Sequence, residues 1–165
     1  MKKAEFNLSD YVINEDNKIC KVVGTRWTPC ADYIEQPTQM LTLLWWEDKD
    51  GAITPHLKEV SAIQVFGWSY TVSILNMIGF KKGETLNTMV YRDPTTRRSI
   101  VIDRTDGSIY VFKCSRHIML DFVYVDYVHD IQHVFDTAGI EFPSLSQWLL
   151  AENAKRKPPV KLHQF

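Results

Sequence analysis

Three β-rich segments in close succession, TLNTMVYRD, RSIVIDR and SIYVFKC, set the strongest limit on what this chain can fold into. Only DPTTR and RTDG separate them. Thr, Val, Ile, Tyr and Phe suit a pleated, half-buried surface. Asp93-Pro94 and Asp106-Gly107 are turn pairs with a backbone reason: proline presets φ, aspartate bonds its own backbone, and glycine accepts positive φ. Loops this short join antiparallel neighbours, so the pattern predicts a meander. HIMLDFVYV then reads as a fourth strand leading into a helix from about Tyr127 to Ala138, capped by Asp126 and ended by Gly139.

The earlier half carries a second β signal. CKVVGT reads as a short strand, and MLTLLWW is an apolar run that ends in EDKDG. Asp50-Gly51 is hairpin-turn chemistry. The return strand starts at Ala52 and is expected to break at Pro55, which marks it as an edge. Ser69 is placed to cap a short helix with Val72, Leu75 and Ile78 on one face, closed by Gly79 with Phe80 folding back. After Pro143-Ser144, LSQWLLAENAKRK predicts a last helix ending in Lys155, Arg156 and Lys157, charges favoured at a helix C-terminus. The expected class is α+β: a curved antiparallel sheet or small barrel-like β half, two short helices packed on it, and an added C-terminal helix. The boundary is drawn at residues 1–142 for the α+β domain and 143–165 for the helix and basic tail.

A chain of 165 residues with five Trp, seven Tyr and eight Phe can build a core without disulfides or metals. The net charge of −1 gives no general attraction to nucleic acid or an anionic membrane. Cys20, Cys30 and Cys114 form no CxxC pair and read as free thiols of a reducing compartment. MKKAEFNLSDYV lacks the apolar stretch of a signal peptide, and no run approaches ~18 apolar residues. The expected location is the cytosol of the cell that makes the protein, with no membrane partner.

Three stretches, NLSDYV, SILNMIGF and YVHDIQHVF, together resemble a family of small proteins from Bacteroidetes phages, prophages and mobile elements. In that family an apolar-Gly-Asn-aromatic-Val segment opens a β-rich half, a Leu-rich helix ends in Gly-Phe, and a helix begins Tyr-Val-His. The resemblance spans roughly Asn7 to Phe142. Ser9-Asp10 stands where Gly-Asn is usual, and His133 stands where Asn is usual. The resemblance implies a phage or phage-like setting more than a chemistry.

Among residues with functional potential, HDIQH is one acid removed from HExxH, and His129 and His133 at i,i+4 are the candidate metal pair. No third ligand is motivated by the sequence, and Asp130 is a methylene shorter than the usual general base. At helical spacing, Tyr127, Val128, Ile131, Phe135 and Ala138 form the packing stripe, which leaves His129, Gln132, His133 and Asp136 on the wet side. Trp45 and Trp46 adjoin the hairpin and, in a strand, point to opposite faces, one to core and one outward. Arg92, Arg97 and Arg98 surround a turn and are suited to phosphates or carboxylates. Cys114 lies near His117, a weak pairing for a nucleophile. There is no GxGxxG, Walker A or GxSxG motif. The expected function is that of a non-catalytic accessory protein without a cofactor. It binds a protein partner, from host or phage, through Trp45, Trp46, the Arg92, Arg97 and Arg98 turn, and the basic tail. The alternatives are weak single-stranded nucleic-acid binding and a metal-dependent hydrolase using His129 and His133.

Overall fold

The computed structural model describes residues 6–29, 37–113, 116–118 and 124–159. Its class is α+β. Ten described strands form two five-stranded antiparallel sheets, neither closed into a barrel, and three α-helices accompany them. The chain divides into two compact units, Met1–Trp68 with Ser146–Phe165, and Ser69–Leu145. The β content is thus split between two sheets, and the break follows the first sheet's last strand, where the chain turns into a helix.

The first unit holds β1 (Tyr11–Ile13), β2 (Ile19–Trp27), β3 (Gln39–Lys49), β4 (Ala52–Ser61) and β5 (Phe66–Gly67), in the order β4-β3-β2-β1-β5. Alternation along the strands sends Val12, Cys20, Val22, Leu41, Leu43, Trp45 and Val60 to one face, where Phe6 and Val65 join them. β2 and β3 shift register between Val22 and Gly24. A bulge of this kind increases local twist and curves the sheet. The β3–β4 hairpin turns on Asp50 and Gly51, both at positive φ (54° and 83°), which is the backbone that Asp-Gly favours in a two-residue turn. Pro55 does not interrupt β4. The strand runs through it, paired with Trp46.

The C-terminal helix, α3 (Ser146–Lys155), belongs to this first unit and packs on β3. A buried amide fastens it. Asn153, 2% exposed, accepts from the Ile19 amide at 2.8 Å and donates to the Ile19 carbonyl at 2.9 Å. Its side chain thereby satisfies both main-chain groups of a strand residue. The Lys18 ammonium donates to the carbonyls of Asn153 (2.9 Å) and Arg156 (3.0 Å), supplying donors and positive charge at the helix C-terminus. Trp148 stacks on Trp68 at 5.3 Å. The expected boundary after Phe142 falls inside the second unit, because this polar clasp carries the last helix back to the N-terminal strands.

The second unit contains β6 (Lys81–Lys82), β7 (Thr88–Arg92), β8 (Arg98–Asp103), β9 (Ile109–Lys113) and β10 (Arg116–Ile118), in the order β10-β9-β8-β7-β6, with α1 (Val72–Ile78) and α2 (Val128–Thr137). The meander is the one the three β-rich segments predict. The expected fourth strand is described only as β10, and residues 119–123 of HIMLDFVYV lie outside the described residues. The unit's core includes Ile100, Ile102, Val111, Leu75, Phe80, Ile131 and Phe135, each almost wholly buried. Thr71, not Ser69, caps α1 by accepting from the Ile74 amide. Gly79 ends it at φ 116°, a left-handed turn open to glycine without steric cost.

Candidate functional site

An exposed apolar row of the first unit lies on the hairpin arm. A two-residue turn makes Lys49 and Ala52 a hydrogen-bonded pair, so pairing alternates from there. Trp46 and Pro55 then fall at a non-bonded pair, where the proline nitrogen faces the open edge and removes no ladder bond. Ile53, Pro55 and Leu57 share this parity, and their side chains join those of Trp46 and Leu44 on the face opposite the core. Ile53 is 59% exposed and Leu57 is 68% exposed, while Trp46 and Leu44 are half-buried. At the margin, the Arg26 guanidinium grips Glu59 through two bonds, at 2.9 and 2.5 Å. That pair holds the Glu59 carboxyl below the usual carboxylate range. Among the sequence candidates, Trp45 points the other way. It is in the core, stacked on His56 with ring centroids 5.3 Å apart. Ile53 and Leu57 were not singled out from sequence. The period-2 spacing Ile53-Pro55-Leu57, read on an edge strand, is the signal that identifies them.

The three arginines are not brought together into one grip. Arg92 pairs with Ser99 across β7 and β8, so Arg98 projects to the opposite face of the sheet. Arg98 donates to the carbonyl of Ala138 at the end of α2, which makes it a helix-capping cation. Arg92 and Arg97 are exposed. The turn itself is organised by Asp93, whose carboxylate accepts from the Thr96 hydroxyl at 2.6 Å and amide at 2.9 Å. These bonds hold it below the usual carboxylate range. In the basic tail, Arg156 donates to the Asn17 side chain at 2.9 Å, which ties it to the first unit. Residues 160–165 lie outside the described residues.

HDIQH requires a correction. His129 and Gln132 are buried, at 4% and 8% exposure, rather than lying on a wet face. The buried set of α2, Val128, His129, Ile131, Gln132, Val134 and Phe135, extends well beyond one apolar stripe. A helix packed on more than one side buries polar positions that its periodicity alone assigns to solvent. The His129 ring stacks on Tyr127 at 5.5 Å and meets the His133 ring edge-on at 5.9 Å. Asp130 caps the helix from within, accepting from the amides of Asp126 (3.0 Å) and Tyr127 (2.9 Å). The N-cap position is held by Tyr127, not by Asp126 as expected. Among the described residues, no three His, Cys, Asp or Glu side chains gather where they could hold a metal ion. Cys114 lies outside the described residues, so its pairing with His117 has no geometry to report.

A polar cleft in the second unit is lined by Tyr70, Thr71, Arg104, Asp106 and Asp126. Burial, then the Asp126 charge, raises the Tyr70 phenol above its ordinary value. The phenol is therefore a neutral donor at physiological pH. In comparisons with known proteins, no family model matches the chain, and no curated protein or solved structure gives a significant match.

Proposed function

We propose that this protein is a non-catalytic protein-binding module, of the accessory type implied by its resemblance to proteins of Bacteroidetes phages and mobile elements. The observation that carries the reading is the apolar row Ile53, Pro55 and Leu57 beside Trp46, on the outer face of an edge hairpin. Large apolar side chains grouped on a surface mark interaction sites more often than scattered ones do. An aromatic residue set among them is a typical anchor. The edge itself is blunted. Pro55 offers no amide, and Lys58 and Glu59 place charges beside it, so the side-chain face rather than open main-chain pairing is the contact.

The test is capture from cells that express the protein, with a photo-crosslinking residue at position 57. A discrete crosslinked partner is expected, and Leu57→Asp is expected to weaken its binding about tenfold or more, the size of a central contact. Recovery of no partner from native or infected cells, or a Leu57→Asp chain that captures as well as the parent, would sink the reading.

A further inference from the structure

The second unit carries a separate recess, where the β7–β8 turn faces the segment after α2. Tyr91, Asp93, Thr95, Glu141, Phe142 and Ser144 line a cleft of about 420 Å³. Its floor is aromatic: Tyr91 and Phe142 both lie against Phe135, with centroids at 4.8 and 5.1 Å. Both rings are half-buried, so each keeps some surface turned outward. Its mouth is acidic. Glu141 is exposed, and the Thr96 bonds keep Asp93 ionised. The Arg98 guanidinium donates to the Ala138 carbonyl and lies beside Gly139 at the edge of the cleft, where its charge offsets part of this acidity.

We infer that this cleft receives one cationic side chain, an arginine or lysine, of a partner polypeptide. The aliphatic stem would lie along Phe142 and Tyr91, with the cation between a ring face and the two carboxylates. A carboxylate or phosphate would meet like charge at Asp93 and Glu141, and an apolar group would strip their water without compensation. At about 420 Å³ the cleft has room for one long side chain. The inference rests on the protein-binding reading only in assigning the cation to a polypeptide, and it concerns a different surface.

The test is an NMR titration of the isotope-labelled full chain with Nα-acetyl-arginine amide, set against the citrulline analogue, which keeps the shape and lacks the charge. Saturable shifts at Tyr91, Thr95 and Gly139 are expected with arginine and not with citrulline. Glu141→Gln, a change at an exposed position, is expected to weaken binding about threefold, the scale of one exposed charge pair. Absence of shifts, equal shifts with citrulline, or unchanged affinity in Glu141→Gln would each overturn the inference. The Leu57→Asp chain is titrated in parallel. Arginine binding that persists there while partner capture is lost separates failure at one surface from failure at the other.

Discussion

Single residues decide two features of the first unit. Asn153 replaces a strand neighbour for Ile19, and the helix that bears it has only Leu149 as a second fully buried residue. Asn153→Ala leaves a buried amide and carbonyl without partners, each costing about 1–3 kcal/mol, so a loss of about 2–4 kcal/mol is expected in urea denaturation. Ser9 is the other case. Its φ of 75° lies in the left-handed region, and its amide donates to the Val22 carbonyl at 2.7 Å, so the bond fixes the strained backbone in place. Glycine adopts that conformation without steric cost and loses more chain entropy on folding. Ser9→Gly is expected to stabilise the protein by about 0.5–1 kcal/mol, read as a shift of the denaturation midpoint without a change of slope.

At the scale of elements, β4 is a ten-residue edge strand whose row of outward amides is broken by one residue. Its outward amides belong to the parity of Ile53, Leu57 and Glu59, and Pro55 interrupts their series. Pro55→Val is expected to restore a continuous donor row beside exposed Ile53 and Leu57. The variant would then associate at concentrations where the parent does not, through strand pairing. Light scattering over a dilution series checks this, and a variant that stays as dispersed as the parent counts against the edge argument. The same strand shows what pattern reading misses. A proline looks like an interruption in a sequence, but at a non-bonded position of an edge it continues the strand and shields it.

For the molecule as a whole, stability at alkaline pH follows from a buried thiol. Burial pushes Cys20 up to about 12 from the 9.0 of an exposed thiol. Below pH 9 both folded and unfolded chains hold the proton, and stability is unaffected. Above pH 9 the unfolded chain releases it while the folded chain keeps it, so stability is lost as pH rises through 12, at up to about 1.4 kcal/mol per pH unit. Tyr70 and Tyr91, also raised by burial, add loss of the same sign at higher pH. Denaturation midpoints measured from pH 8 to 10.5 are expected to fall, and the early part of that fall is expected to vanish in Cys20→Ala. A Cys20→Ala profile that falls as steeply from pH 9 would refute the assignment.

Local chemistry was enough to determine the class, the meander and its turns, the Asp50-Gly51 hairpin, and α1 and α2 to within a few residues. Each rests on neighbours in the chain: a turn pair that selects φ, or a side-chain period that selects a pleat or a helix. The opposite orientations of Trp45 and Trp46 were legible for the same reason. Tertiary structure alone decided that α3 joins the N-terminal strands, because the Asn153 clasp links residues 134 positions apart. It also decided that Arg98 caps a helix instead of joining a cation cluster, and that His129 and Gln132 are buried. Periodicity shows which residues share a face, but not how many faces of an element are covered. That depends on packing between distant segments, and so does the distinction between a buried aromatic and an exposed anchor.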